Sequence, residues 1–320
     1  MAQDHPDHRR NKWRHRVIYQ AGSAFHVPMS ENNDTNPCCL SAFDLAKASE
    51  GITEHKATKP VWQSFLMAIN AGAFIALAFM FYTTALADGH GKLVGGLCFS
   101  LGLILCILLS GELFTSSTLT IVAKAAKLIT WKQVLRNWVV VYFGNLIGGL
   151  LIVAMVMLCR QYNAFDGDWG EVILNTAQHK LHHIHEGENY FRGFTEALIM
   201  GVFCNTMVCA AVWLSFAGKT LTDKMLATIF PVGMFVASGF EHSIANMFMV
   251  PAGILIQNFA EPEFWQKIGA DASNYADLTV VNFIVKNLIP VTIGNIIGGG
   301  LMIGFYNWYV NCRAGNHKKA

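Results

Sequence analysis

The sequence predicts an all-α integral membrane protein: six transmembrane helices in two inverted three-helix repeats, with the second and fifth helices broken. Three observations predict it. The 320-residue chain is 53% hydrophobic and only 14% charged, with a mean hydropathy of +0.37, a balance outside the range of soluble domains. Two apolar segments carry polar interruptions that both open Ser-Gly: Ser110-Gly111-Glu112-Leu113-Phe114-Thr115 and Ser238-Gly239-Phe240-Glu241-His242-Ser243. Spacings of small and polar residues in the first half also recur in the second. Non-helical backbone at membrane depth is tolerated only where it packs in protein or lines a wet cavity, so paired breaks point to a permeation site.

Each element follows in order. Residues 1–59 form an N-terminal tail, polar and His/Arg-rich up to residue 35 and expected to be disordered there. Met29 opens a run, Met-Ser-Glu-Asn-Asn-Asp, that has the look of a natural start. Leu40, Phe43, Leu45 and Ala46 lie at helical spacing and predict a short amphipathic helix on the membrane surface over 40–49. The channel domain is expected over 60–312, followed by a tail at 313–320. Stretches 60–87, 137–159, 197–218 and 287–312 each hold 22 or more residues without Asp, Glu, Lys or Arg, enough to cross ~30 Å of hydrocarbon. Residues 93–123 form a further span interrupted only by Glu112, and 225–260 one interrupted only by Glu241-His242.

Loop charges orient the spans. Lys124, Lys127, Lys132 and Arg136 follow the second span without an acid, and both tails are basic. Loop 160–195 carries Asp166, Asp168, Glu171, Glu186 and Glu188, and loop 261–286 carries Glu261, Glu263, Asp271 and Asp277. Positive charge stays inside, which predicts that both termini are cytoplasmic. The eight cysteines are scattered through spans and tails, a pattern of apolar packing rather than of a disulfide framework.

The repeat supports the same plan. Asn137 precedes Gly144-Asn145-Leu146-Ile147-Gly148-Gly149 by the interval that separates Asn287 from Gly294-Asn295-Ile296-Ile297-Gly298-Gly299. Phe65, Ala68, Gly72 and Phe74 of the first span match Phe194, Ala197, Gly201 and Phe203 of the fourth. Three crossings per repeat is odd, so the halves are inverted.

Candidate site residues cluster at the breaks. His242 is the side chain there that changes charge near neutral pH without a large shift, and ionisable groups inside a membrane are functional by default. Thr115, Ser116 and Ser117 offer hydroxyls to an anion or to the freed backbone. Glu112 and Glu241 are expected to accept from exposed N–H groups where the helices resume. Asn205 and Asn295 are hydrogen-bonders in apolar spans, in the pathway or as interhelical glue. Phe99, Leu103, Leu113, Val208 and Phe235 are candidates for apolar constrictions that gate by drying the pore. The run from His179 to Glu186 has metal-ligating residue types, but its histidines are irregularly spaced and no second cluster completes a set. A positive rim that draws anions, with Lys180 as its fixed charge, is the better reading. No metal or cofactor is expected.

Residues 36–312 resemble the formate/nitrite transporter family. The resemblance rests on Lys92-Leu93-Val94-Gly95-Gly96, Glu112-Leu113-Phe114-Thr115-Ser116, Val141-Tyr142-Phe143-Gly144-Asn145, Gly239-Phe240-Glu241-His242-Ser243-Ile244-Ala245-Asn246, and Asn287 through Asn295. It implies a homopentamer of aquaporin-like protomers, each with one pore, in a bacterial inner membrane. By the same resemblance His242 faces Thr115 at the pore centre, flanked by Asn205 and Asn295. Leu103 and Leu113 line a cytoplasmic constriction, and Phe99, Val208 and Phe235 line a periplasmic one. Lys180 is the vestibule lysine, and the N-terminal segment gates passage with pH. The implied activity is bidirectional passage of formate or formic acid, with His242 controlling protonation. Nitrite and hydrosulfide remain alternatives, as does an aquaporin-like neutral-solute channel, although neither break contains Asn-Pro-Ala. An enzyme using His242 and Glu241 lacks a visible nucleophile or metal set.

Overall fold

A computed structural model describes residues 40–183 and 190–313. The expectations for residues 1–35, Met29, Cys38, Cys39, His185, Glu186 and the chain beyond 313 lie outside the described residues.

Four long apolar helices are continuous. The first span, Val61–Ala87, starts directly after Pro60, a residue suited to a helix start because its missing N–H has no role there. The third, Trp131–Leu158, opens ahead of the uncharged stretch 137–159 because Thr130 and Gln133 cap it reciprocally. The fourth is Tyr190–Ala217. The sixth, 280–313, begins where Thr279 Oγ1 accepts from Asn282 N at 3.1 Å and passes through three stretches of wider i→i+5 turns.

The second and fifth spans are interrupted where the sequence predicts. Lys92–Leu108 stops at Leu109, Ser110 turns left-handed (φ 58°), and helix resumes at Phe114. Leu221–Ala237 stops at Ser238, Gly239 supplies φ 74° at no steric cost, and helix resumes over Ser243–Phe259. With three spans in each half, an odd number, the chain order sets the second half in the orientation opposite to the first. We call the side holding residues 42–58 and Arg313 the tail side, and the other the far side.

Two features differ from the sequence reading. The surface helix is Ala42–Thr58, longer than 40–49 and capped by Ser41, whose Oγ accepts from Asp44 N at 3.1 Å. The far-side loops also contain helices, Asp168–Leu181 and Pro262–Ile268. Their acidic residues suggested plain loop, yet Trp169, Ile173, Ala177 and Leu181 recur every fourth residue and are buried.

Backbones of the first and third spans touch, as do those of the fourth and sixth. A Cβ on Gly148 would lie 2.0 Å from Ile69 O, and one on Gly298 would lie 2.3 Å from Val202 O. Only glycine permits either approach. These contacts also correct the repeat register: Ile69 corresponds to Val202, one helical turn from the match of Gly72 with Gly201. Small residues four apart in both spans made the two registers indistinguishable by composition. The six described cysteines are free.

Candidate functional site

Both breaks are held by the same set of bonds. In the first, Asn145 Nδ2 donates to Ala68 O (2.7 Å) and Glu112 O (2.8 Å), while its Oδ1 accepts from Phe114 N (2.9 Å). In the second, Asn295 Nδ2 donates to Gly201 O (2.8 Å) and Glu241 O (3.0 Å), while its Oδ1 accepts from Ser243 N (3.0 Å). Each asparagine thus satisfies backbone groups that the interruption frees, in a medium where unsatisfied ones are costly.

The carboxylates of the breaks have a different task from the expected one. Neither accepts from a restart N–H; those donors go to the asparagines and to His242. Glu112 receives Lys59 Nζ at 2.6 Å and lies 3.2 Å from Lys56 Nζ. Glu241 receives Lys180 Nζ at 3.1 Å, His183 Nε2 at 3.2 Å, Asn246 Nδ2 at 2.6 Å and Asn287 Nδ2 at 3.0 Å. Asn137 Nδ2 donates to Lys56 O (3.2 Å) and Asn287 Nδ2 to Lys180 O (2.8 Å). Both carboxylates are buried, and a buried charge needs a counter-charge more than the backbone needs an anion.

His242 stands at the restart of the fifth span. Its Nδ1 accepts from Ala245 N at 3.0 Å, which places the neutral ring's proton on Nε2. Nε2–H therefore donates to Thr115 Oγ1, 3.2 Å away. Thr115 keeps its own hydroxyl proton, which has no protein acceptor among the described residues. Ser116 Oγ instead donates to Leu113 O at 2.9 Å, while Ser117 Oγ is buried without a partner among the described residues. Asn205 Nδ2 bonds Thr115 O (3.1 Å) and Asn295 O (2.5 Å) and so fixes the backbone behind the hydroxyl.

A cavity of about 230 Å³ leads from the far side, at Lys92 and His179, down to His242. Phe99 and Phe235 form part of its wall. They meet edge to face at 6.0 Å, and Phe235 stacks on the His242 ring at 5.9 Å. Leu103, Leu113 and Val208 are buried in the surrounding core. Lys180 also belongs to the cavity wall, but it is 7% exposed and its charge is answered by Glu241, unlike a free rim cation. Burial first, then His183 and Lys180, lower the pKa of His179 and oppose its charging. Burial opposes charge on His183, but the hydrogen bond and charge of Glu241 outweigh it and raise its pKa. His182 Nε2 lies 2.8 Å from Asp277 Oδ2, and among the described residues no cluster of metal-ligating side chains occurs.

The sequence reading missed Lys56, Lys59, Asn145 and Asn287 as parts of these breaks. The repeat carried the signal: the position that singled out Asn295 has a counterpart at Asn145, and Asn137 and Asn287 head the same motif.

Comparison with known proteins agrees with this architecture. A family model described as formate/nitrite transporter matches residues 44–309. The formate channel FocA of Escherichia coli strain K12 is 51% identical over 85% of this chain and 95% of its own length. FocA of Haemophilus influenzae is 50% identical over 88% of this chain and 98% of its own. A solved structure described as a pentameric formate channel with formate bound superimposes with a TM-score of 0.71 at 49% identity, covering 78% of this chain and 97% of that one.

Proposed function

The chain belongs to the formate/nitrite transporter family, and from that premise we propose that it is a bidirectional formate channel. It works as a homopentamer in a bacterial inner membrane with both termini cytoplasmic, so the tail side is cytoplasmic and the far side periplasmic. The pentamer and the substrate rest on relatives whose names state them; the orientation rests on the loop charges. The observation that carries the reading is the pair Thr115 and His242, where two broken helices leave one free hydroxyl proton and one imidazole N–H at the foot of a cavity. A carboxylate has the acceptors both donors need.

Passing the aromatic wall as a bare anion is expensive, because an unpaired charge in apolar surroundings costs many kcal/mol. At the site, formate replaces Thr115 as acceptor of Nε2–H and takes the threonine hydroxyl as a second donor. The geometry favours sharing this proton over surrendering it. His242 gives a proton away outright only after a second one reaches Nδ1, and Ala245 N–H already points there. Protonation therefore costs the helix its cap, of order 1 kcal/mol, and this coupling sets the pH dependence of transport. Phe99, Phe235 and Val208 form the periplasmic constriction and Leu103 and Leu113 the cytoplasmic one. Asn205 and Asn295 hold the pore wall, and Lys180 serves the vestibule by keeping Glu241 neutralised.

The test is uptake into proteoliposomes in formate, nitrite and glycerol, with wild type, His242→Asn and His242→Phe. The reading expects formate flux in the wild type and altered pH dependence in both variants. Glycerol flux without formate flux, or variants with unchanged pH dependence, would overturn it.

A further inference from the structure

Several basic side chains line the far-side cavity or lie behind its wall, and among the described residues all but one of them are accounted for. Lys180 is paired with Glu241 at 3.1 Å. His183 lies between Glu241 (3.2 Å) and Glu196 (3.4 Å). His179 lies among other positive groups, and burial first, then those groups, lower its pKa and oppose its charging. The nearest acid in sequence before Lys92 is Asp88, which is engaged by His90 at 3.3 Å. Lys92 remains. It is exposed at the first position of the helix Lys92–Leu108, forms part of the cavity wall, and makes no ion pair among the described residues.

We infer that Lys92 is the anion-capturing residue of this entrance: an ammonium without a counter-charge among the described residues, standing where the cavity opens, that concentrates small monovalent weak-acid anions ahead of the Thr115–His242 pair. The inference rests on the formate reading and deepens it by moving the capture role from Lys180 to Lys92. A paired lysine presents a dipole to an approaching anion, whereas an unpaired one presents a full charge whose field the low-dielectric cavity wall focuses. Exposure keeps that ammonium hydrated and mobile, so it attracts an anion without trapping it. Binding must be favourable enough to enter and weak enough to leave.

Lys92→Gln, Lys92→Glu and Lys92→Arg test this in planar bilayers, with formate added to one side at a time and the side assigned by protease attack on the tail. In low salt, Lys92→Gln should raise the half-saturating formate concentration on the Lys92 face about tenfold, the low end of what charged clefts achieve. Lys92→Glu should raise it further and Lys92→Arg should restore it. Maximal flux and half-saturation from the tail face should stay unchanged, and high salt should shrink the difference. Unchanged half-saturation in both Lys92→Gln and Lys92→Glu, or equal changes from both faces, would overturn the inference. A wild-type protein that carries no formate would instead reject the function on which it rests.

Discussion

Replacing Glu112 by glutamine removes the one anion from a site that holds two ammonium groups. Lys59 Nζ lies 2.6 Å from its Oε1 and Lys56 Nζ 3.2 Å from its Oε2, and the Lys59 and Glu112 side chains are each 5% exposed. Glutamine accepts one hydrogen bond but neutralises nothing, and the next contact of Lys59 Nζ is Met67 Sδ at 3.7 Å. Breaking a buried pair from one side costs about 3–5 kcal/mol, and Glu112→Gln belongs in the upper half of that range because two cations lose their partner. Lys59→Met leaves Glu112 beside Lys56 and should cost about 2 kcal/mol, below that range, since the buried anion keeps a counter-charge. The double variant retains only Lys56, which is more exposed and bonded to Ser116 Oγ at 2.9 Å. It should recover to within about 2 kcal/mol of wild type. The assay is unfolding in mixed micelles with rising SDS fraction, followed by tryptophan fluorescence. Glu112→Gln as stable as Lys59→Met, or a double variant whose loss is the sum of the singles, would refute the reasoning.

Other outcomes follow from the same geometry. His183 has a folded pKa above its ordinary 6.5, so its contribution is full below that value and is lost as pH rises through the folded one. The melting-temperature gap between wild type and His183→Gln in detergent should therefore narrow as pH is raised from about 6 to about 9; a constant gap would reject the pairing with Glu241. Gly148→Ala and Gly298→Ala should each destabilise by about 1–3 kcal/mol through forced helix separation, in the same unfolding assay. A large loss in one and none in the other would break the correspondence between the halves. Asn145→Leu and Asn295→Leu each orphan buried backbone groups and should each cost at least about 2 kcal/mol.

The architecture was legible because the membrane leaves so few options. Uncharged stretches located the continuous spans, and a carboxylate in an apolar segment located each break. Span ends were less legible: Thr130 with Gln133, and Thr279, start helices inside polar sequence where hydropathy is silent. The repeat register slipped by one turn because Ala68 and Gly72 are nearly interchangeable by size. At the site, His242 stood out because an imidazole in an apolar segment is rare, and the structure gives it a structural task as well, capping the resumed helix through Nδ1. Lys59 did not, because its partner Glu112 lies 53 residues further along the chain. Lys92 was hidden by the opposite circumstance: it is notable only once Lys180 is seen to be paired and His179 to be disfavoured as a cation.

The two halves share the asparagine brace of each break and differ in the partners of the carboxylate and in the residue beside it. Glu112 and Glu241, Asn145 and Asn295, and Asn137 and Asn287 occupy matching places with matching bonds. The residue that follows each carboxylate opens the returning helix, and there the correspondence ends: it is Leu113 in one half and His242 in the other. Leu113 provides no side-chain cap, whereas His242 caps through Nδ1 and turns Nε2–H toward Thr115. A pathway with an imidazole at both places would bring two chargeable rings together, and charging either would oppose charging the other. With leucine at one, His242 is the one imidazole at the two helix restarts, and Leu113 sets buried apolar surface at the matching place. On the proposed channel reading, that arrangement lets one weak acid share a proton with one imidazole between the two breaks.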